Sequence, residues 1–376
     1  MSIRIGQITL REIRLSLREP FQISSGLTTD RRILLLELAD GDGATAWSEC
    51  VAGERPNFSA ETIDTAWLAI TEWIAPRVLG KSIPHPSNID ALLARGLRGH
   101  FMARASVEMG GWALWARREQ TSLSQLIGGE RTRIATGISI GIQESPAALA
   151  EKSRKSLAAG YRKIKIKIRP GADLEYIAAA REELGPNAPL MADANSAYTL
   201  SHAEHLADLD PFRLMMIEQP LAYDDLLRHA ELQDRIATPI CLDESITSVE
   251  RAEDMLALKS GRIVNIKPGR VGGLTQAKAI HDLCRRNGVP VWCGGMLESG
   301  IGRAYNVALA SLPNFTLPGD VSPSARYWER DIVTPEWTMD DRGMVTVPRA
   351  IPGIGVEIDR DRVENLTVRD QTLSAP

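Results

Sequence analysis

Five ionisable residues recur at intervals of about 25 along the middle of the chain. They are Lys167, Asp193, Glu218, Asp243 and Lys267. An interval of this length holds one strand, one helix and two loops, so we predict that each residue ends a strand of a repeated strand–helix unit. Three carboxylates and two amines would then surround one mouth of a barrel, where such folds carry their chemistry.

Three converging carboxylates repel each other unless a cation or bound protons neutralise them. Carboxylate oxygens favour a hard ion, and three of them leave room for water and substrate oxygens around Mg2+. The histidines are scattered and the cysteines show no paired spacing, which argues against zinc. We therefore expect Asp193, Glu218 and Asp243 to bind Mg2+, with Mn2+ as a substitute.

A cation between two amines is typical of a site that removes the proton next to a carboxylate, because the metal stabilises the resulting enediolate. Lys167 and Lys267 would reach opposite faces of that carbon, so that one takes a proton and the other returns one. Positive charge from Lys165 and Arg270 would lower the pKa of these lysines, whereas the carboxylates would raise it. The sequence leaves that balance open.

Short apolar or alternating segments fall on the same interval and predict the strands that position these residues. The eight predicted strands, enough for a barrel, are Ile134–Ile140, Lys163–Ile168, Leu190–Ala192, Leu214–Ile217, Ile240–Leu242, Ile263–Ile266, Pro290–Cys293 and Phe315–Leu317. Between them, Ser145 and Asp173 are predicted to begin helices, and Thr247 has capping-box spacing with Glu250. Alternating strands and helices indicate an α/β fold with a parallel sheet.

The second predicted strand alternates three lysines with three isoleucines between residues 163 and 168. A barrel strand has no face in water, so the isoleucines must meet the surrounding helices and the lysines must point toward the barrel axis. Buried ammonium groups need partners. We expect Lys165 and Lys167, nearest the mouth, to pair with the carboxylates.

These residues lie in motifs that resemble those of the enolase superfamily. The motifs are Lys165-Ile166-Lys167, Asp193-Ala194-Asn195, Ile217-Glu218-Gln219-Pro220, Leu242-Asp243-Glu244-Ser245 and Asn265 to Gly273. Within the muconate-lactonizing-enzyme subgroup, the chain looks most like the N-succinylamino acid racemase / o-succinylbenzoate synthase family. The resemblance implies a modified TIM barrel, (β/α)7β, with an α+β capping domain. The implied divisions are a cap at 1–128, a barrel at 129–344 and a tail returning to the cap at 345–376.

The resemblance also implies roles for individual residues. Asp193, Glu218 and Asp243 would be the Mg2+ ligands, and Lys167 and Lys267 the acid/base pair. Other implied contacts with the substrate or its surroundings are Lys165, Asn195, Ser139, Gly295, Met296 and Tyr327. Lys165 would help to bind the substrate carboxylate and lower the pKa of Lys167, and Arg270 would tune Lys267.

Several activities fit this pattern. Racemisation of N-acylamino acids and synthesis of o-succinylbenzoate use the same metal and lysines, and Arg270 favours the racemase. Muconate cycloisomerase shares the two lysines. Dipeptide epimerases carry an Asp-x-Asp on the last strand, and here Asp320-Val321-Ser322 lacks the second acid. A non-catalytic relative would have lost a base or a ligand, yet all five residues are present.

Two loops, Gly26–Asp30 and Val51–Phe58, are predicted to cover the barrel mouth. The second departs from the apolar loop expected for racemases of this family, because it contains Glu54 and Arg55. We therefore expect a small-molecule carboxylate substrate with a charged or unusual side chain, or with a different acyl group.

Composition excludes other classes of partner. The net charge of -4 and pI near 6.0 leave no basic footprint for nucleic acid or anionic membranes. The N-terminal residues lack the apolar core of a signal peptide, so we expect a cytoplasmic protein. The four cysteines should then be free thiols. We also expect a homo-oligomer.

Overall fold

The structure is a computed structural model that describes residues 2–376. Its N-terminal region contains strands, α-helices and one π-helix, Ile70–Ile74, between α1 and α2. The elements are β1 (Ile3–Ile23), β2 (Gly26–Asp40), β3 (Thr45–Cys50), α1 (Ile63–Ala69), α2 (Ala75–Val78), β4 (Ser82–Ile83), α3 (Asn88–Ala94), α4 (Phe101–Arg118) and α5 (Leu123–Leu126).

Strands and helices then alternate through the middle of the chain. The elements are β5 (Arg133–Ala135), β6 (Ile138–Ile140), α6 (Pro146–Ala158), β7 (Ile164–Lys167), α7 (Leu174–Leu184), β8 (Leu190–Asp193), α8 (Ala203–Ala207), β9 (Ile217–Glu218), α9 (Leu227–Gln233), β10 (Ile240–Leu242), α10 (Val249–Leu258), β11 (Ile263–Ile266), α11 (Leu274–Arg286), β12 (Val291–Cys293) and α12 (Gly300–Ala310). Short 3-10 turns lie at Leu200–His202, Asp210–Phe212 and Ser324–Arg326.

The C-terminal part adds small strands and one helix: β13 (Val333–Thr334), β14 (Met344–Thr346), β15 (Glu357–Ile358), α13 (Arg360–Leu366) and β16 (Thr367–Ser374). The last strand, β16, pairs antiparallel with β1 and so joins the N-terminal sheet, whose order is β16-β1-β2-β3. Strand β4 pairs with the first residues of β1, Ile3 and Arg4. Helix α4 is buried along most of its length and packs on β2 and β3.

The barrel sheet is parallel and has the order β12-β11-β10-β9-β8-β7-β6. Two isolated bridges connect its edges through the segment after α12: Phe315 pairs with Val291, and Gly319 pairs with Thr136. The predicted α/β barrel with an α+β cap is thus confirmed. The eighth predicted strand, 315–317, is wrong as a strand, because Pro318 has no N–H to donate to a ladder.

Three other local predictions need correction. The predicted strand 134–140 is two strands, and only the second joins the barrel sheet. Gly137 lies at the break, where a Cβ would meet the Lys163 side chain at 2.8 Å. Gly26–Asp30 is not a loop, since it begins β2 and continues a hairpin with β1. Ser145 and Asp173 cap their helices as predicted, but the cap of α10 is Ser248 rather than Thr247.

Two buried glutamates connect the N-terminal region to the barrel. Glu49, on β3, accepts hydrogen bonds from the backbone N–H and the hydroxyl of Ser299 at the start of α12. Glu108, on α4, accepts from the N–H groups of Leu274 and Thr275 at the start of α11. Because helix N-termini present unpaired donors, each carboxylate adds an acceptor at the start of a barrel helix.

The cysteines Cys50, Cys241, Cys284 and Cys293 are free and buried, as predicted. Among the helices of residues 2–376, none has both the length and the apolar character that crossing a bilayer requires.

Candidate active site at the barrel mouth

The ionisable residues spaced by about 25 positions do lie at the carboxyl ends of neighbouring barrel strands. Lys167, Asp193 and Glu218 are the last residues of β7, β8 and β9. Asp243 and Lys267 follow β10 and β11 directly. The register places Lys167 beside Asp193 and Asp193 beside Glu218, so the parallel sheet itself brings these groups together.

Strand β7 has the predicted arrangement of its two faces. Ile164 and Ile166 are fully buried, and Lys163, Lys165 and Lys167 are also buried, at 0%, 3% and 8% exposure. The three ammonium groups all have acidic neighbours. Alternation on a strand without a wet face therefore placed the lysines inside the barrel.

Lys165 is surrounded by carboxylates. Its Nζ lies 2.6 Å from Asp320 Oδ2, 3.1 Å from Asp193 Oδ2 and 3.2 Å from Glu218 Oε2. Burial lowers the pKa of Lys165, but attraction by the three carboxylates outweighs burial and raises this pKa well above its usual range. Lys165 is therefore a fixed positive charge.

Asp320 holds a second lysine as well. Lys163 Nζ lies 3.2 Å from Asp320 Oδ1 and 3.4 Å from the centre of the Trp292 ring, which supplies a cation–π contact. Burial lowers the pKa of Lys163. Burial alone would raise the pKa of Asp320, but Lys163 and Lys165 together lower it to about 2. Both oxygens of this carboxylate are thus engaged by lysines.

Lys167 contacts Asp193 Oδ2 and Asn195 Oδ1, each at 2.6 Å. Asn195 in turn donates through Nδ2 to Glu244 Oε1 at 3.0 Å. The hydrogen-bonded amide of Asn195 orients the Lys167 ammonium group between β7 and β8. Asn195 also lines the cavity above the barrel.

Lys267 lies on the other side of the acidic arc. Its Nζ is 2.7 Å from Asp243 Oδ2 and stands over the Phe58 ring at 4.6 Å. Burial lowers the pKa of Lys267, but Asp243 and Glu218 outweigh it and the net pKa is raised. For Lys267 without a bound metal ion, the carboxylates therefore outweigh the neighbouring positive charges. Arg270 reaches Asp243 Oδ1 with its Nε at 2.9 Å, outside hydrogen-bond geometry, so its link to Lys267 runs through that carboxylate.

The three carboxylates supply the oxygen ligands that a hard cation prefers. Glu218 is fully buried, and burial together with repulsion by Asp193 and Asp243 raises its pKa well above its usual range. Its Oε1 accepts from Asn265 Nδ2 at 2.6 Å. Asp243 Oδ1 is buried and accepts no hydrogen bond. A crowded carboxyl group, and a carboxylate oxygen that accepts no hydrogen bond although Arg270 Nε lies 2.9 Å from it, are what a dication would relieve.

In this structure, lysine ammonium groups lie against these carboxylates. Within residues 2–376, no three Asp, Glu, His or Cys side chains converge closely enough to form a ready-made metal cage. Lys165 bridges Asp193 and Glu218, while Lys267 holds Asp243. Binding of an ion would therefore exchange lysine contacts for metal contacts.

A cavity of about 850 Å³ opens above this cluster. All of the predicted substrate contacts line it, together with both proposed bases: Lys165, Lys167, Lys267, Asn195, Ser139, Gly295, Met296 and Tyr327. Its outer wall comes from the β1–β2 hairpin and from residues 51–59. Asp193, Glu218, Asp243 and Arg270 are buried beneath its floor.

The sequence analysis missed several residues of this site. Asn265 precedes Lys267 by two positions, so period-2 alternation on β11 could have placed its side chain on the same face. Glu244 is adjacent to Asp243, and it too contacts the site through Asn195. Asp320 was considered only as half of an absent Asp-x-Asp. No local pattern pointed to Arg31 on β2, which lines the outer wall of the cavity.

Family models match two parts of the chain. Residues 5–128 match the mandelate racemase / muconate lactonizing enzyme N-terminal domain. Residues 148–362 match the family described as enolase C-terminal domain-like.

Individual relatives match along nearly the whole chain. An o-succinylbenzoate synthase from Geobacillus kaustophilus is 48% identical, covering 98% of this chain and 97% of the relative. An N-succinylamino acid racemase from Thermus thermophilus is 45% identical, covering 99% of this chain and 100% of the relative. The crystal structure of an enolase-superfamily member from Listeria innocua has a TM-score of 0.95 at 36% identity, covering 99% of each chain.

Proposed function

Because this chain belongs to the enolase superfamily and is an enzyme of it, we propose that it removes the proton next to a substrate carboxylate. The proposed reaction is reversible racemisation of an N-acylamino acid, first of all an N-succinylamino acid, or synthesis of o-succinylbenzoate, or both. The o-succinylbenzoate synthase and the N-succinylamino acid racemase have similar sequence identity to this chain, so the comparisons support both reactions equally.

The observation that carries the proposal is the placement of Lys167 and Lys267. They end β7 and follow β11, with three strands between them, and both line the same cavity. A substrate whose α-carbon lies between them presents one face to each ammonium group. One lysine, as the free amine, accepts the α-proton, and the other, as the ammonium, donates a proton to the opposite face.

The neighbouring side chains hold these lysines in place for proton transfer. Asn195 orients Lys167 by a hydrogen bond, and the Phe58 ring makes a cation–π contact with Lys267. Lys165 presents a fixed positive charge to the cavity floor, where the substrate carboxylate would gain negative charge. Fixed charges that are already oriented stabilise this change without further reorganisation.

We assign Asp193, Glu218 and Asp243 as the residues that would hold Mg2+, with Mn2+ as a substitute. When bound, the ion would neutralise the negative charge that builds up on the substrate carboxylate. The assignment is supported by the raised pKa of Glu218 and by Oδ1 of Asp243, a buried oxygen that accepts no hydrogen bond.

Dipeptide epimerase activity has little support. A substrate ammonium group would need a free acid at the end of the last strand, but Lys163 and Lys165 occupy Asp320. Ser322, at the position of the second acid, donates to the Gly137 carbonyl oxygen instead. Muconate cycloisomerase remains the alternative reaction of the same two lysines.

The test is incorporation of solvent deuterium at the α-carbon of L- and D-N-succinylamino acids, with Mg2+ and after chelation. Metal-dependent exchange with inversion is expected for a racemase. Formation of o-succinylbenzoate is assayed in parallel. If neither reaction occurs but a muconate lactonises, the cycloisomerase alternative replaces the proposal.

A further inference from the structure

Arg31 on β2 is a buried guanidinium without an acidic partner. Arg31 is only 7% exposed. No Asp or Glu oxygen of residues 2–376 lies within 4.0 Å of its side-chain nitrogens. Its Nε has no hydrogen-bond partner, and its Nη2 reaches only the Ala52 carbonyl oxygen at 3.5 Å. Arginine stays protonated in proteins, so this is an uncompensated buried charge.

The acidic residues around Arg31 are mostly engaged by other donors. Glu49 accepts from Ser299 at the start of α12. Glu298 accepts from Met296 N and pairs with Arg303. Loss of solvation lowers the pKa of Arg31, and attraction by these glutamates opposes this without cancelling it. The fold therefore leaves the guanidinium charge for something else to neutralise.

Arg31 lines the same cavity as the catalytic cluster. It contacts Ala52, in a segment whose Phe58 stands under Lys267. Val51, next to Ala52, packs so closely on Gly269 that a Cβ there would meet it at 2.6 Å. The segment 51–58 thus links Arg31 to the strand end that carries Lys267, and both regions border the same cavity.

We propose that Arg31 binds a second carboxylate of the substrate, at the end of its N-acyl group, and thereby selects diacid-derived acyl groups over neutral ones. This proposal rests on the proposed function, since it names the acyl part of that substrate. The barrel cluster binds the carboxylate beside the reacting carbon, and Arg31, in the outer wall, binds the distal one. A guanidinium matches a carboxylate in two parallel hydrogen bonds, which favours it over a neutral amide of equal size.

The matched ligands are an N-succinylamino acid and its N-succinamoyl analogue, in which a carboxamide replaces only the distal carboxylate. With the unaltered enzyme, kcat/KM for racemisation should be roughly 10- to 100-fold higher for the succinyl substrate, mainly through KM. Arg31→Met should remove this preference, lowering kcat/KM for the succinyl substrate far more than for the succinamoyl analogue. Arg31→Lys, which keeps the charge but not the bidentate geometry, should restore part of the preference.

Glu54 supplies the control for a structural role. It is exposed on the segment beside Arg31, and its charge is felt there. If the preference depends instead on the charge of Glu54 in the same cavity wall, then Glu54→Gln will abolish it as Arg31→Met does, and the proposal is wrong. A preference retained in Glu54→Gln supports direct binding of the substrate carboxylate.

Calorimetric binding of the two ligands separates this proposal from the reaction itself. Equal affinities for the unaltered protein overturn the role of Arg31, even if racemisation is found and even if Arg31 variants do not fold. Tighter binding of the succinyl ligand without any α-proton exchange supports Arg31 and contradicts the proposed reaction.

Discussion

Lys165 and Asp320 form a short ion pair at the centre of the barrel mouth, with Nζ 2.6 Å from Oδ2. Asp320 also holds Lys163, so one carboxylate compensates two buried charges. Asp320→Ala is expected to lower the free energy of unfolding by about 3–5 kcal/mol, because it leaves two ammonium groups undercompensated. Urea denaturation measures this change.

A second substitution distinguishes charge compensation from lost packing. Lys163→Met removes one of the two charges that Asp320 neutralises, so the double variant Asp320→Ala/Lys163→Met should be less destabilised than the sum of the single variants. Strict additivity would show that Asp320 does not compensate the charge of Lys163.

Replacing the two proposed bases one at a time should distinguish their roles. Lys167→Ala and Lys267→Ala are each expected to reduce racemisation by at least about 100-fold, because a two-base transfer needs both. Each variant should still exchange the α-proton of the one enantiomer that the remaining lysine deprotonates. Proton NMR in deuterium oxide measures exchange, and chiral chromatography measures inversion. Racemisation that survives in both variants would contradict the mechanism.

Mg2+ affinity should depend on Asp243, and this can be measured independently of proton transfer by the lysines. Asp243→Asn is expected to weaken Mg2+ binding at least about tenfold in calorimetry, because one anionic ligand becomes neutral. The unaltered enzyme should lose activity on chelation and regain it with Mg2+. Glu253→Gln, an exposed change on α10, is the control for the Asp243 variant. Unchanged affinity in Asp243→Asn would remove Asp243 from the proposed ligand set.

The strand ends and the inward lysines were predictable because both follow from local periodicity. A spacing of about 25 residues indicates one strand–helix unit, and the alternation of lysine with isoleucine in β7 indicates which side chains share a face of the strand. The partners of those lysines were less accessible. Asp320 contacts Lys165 because the two sheet edges are bridged through Phe315 and Gly319. This contact joins residues far apart in the chain, so no local sequence pattern predicts it.

Contacts between the cap and the barrel were hidden for the same reason. From the residues around them, Glu49 would be predicted only as a strand residue and Glu108 only as a helix residue. In the structure, each accepts hydrogen bonds at the start of a barrel helix. Arg31 looks like one of several basic residues near a hairpin. Its isolation becomes visible only when the surrounding carboxylates are seen to be engaged elsewhere.

Arg270 provides a test of how the site favours one direction of proton transfer. Its Nη2 donates to the Asn265 carbonyl oxygen at 2.8 Å, which fixes its charge beside Asp243. Arg270→Met should leave Asp243 to attract Lys267 alone. We expect about tenfold slower exchange for the enantiomer that Lys267 deprotonates and little change for the other. Arg270→Lys should restore part of the rate. Equal slowing of both enantiomers would indicate a general structural effect.

Glu108 should make stability depend on pH in an unusual direction. Burial raises its pKa to about 7, against hydrogen bonds from Thr275, Leu274 and Trp112 that lower it. Because the folded pKa lies above that of the unfolded chain, the folded state binds more protons between about pH 4.5 and 7. The contribution of Glu108 to the free energy of unfolding is therefore greatest at low pH and declines as pH rises through this window.

Glu108→Gln should flatten this part of the pH profile, because the amide keeps an acceptor oxygen but does not titrate. Between pH 5 and pH 8, urea denaturation should show the variant gaining on the unaltered protein by on the order of 2 kcal/mol. Glu253→Gln, exposed on α10, is the matched control and should leave the profile unchanged. Parallel profiles for Glu108→Gln and the unaltered protein would show that Glu108 keeps an ordinary pKa, with the α11 N–H groups stabilising its anionic form fully.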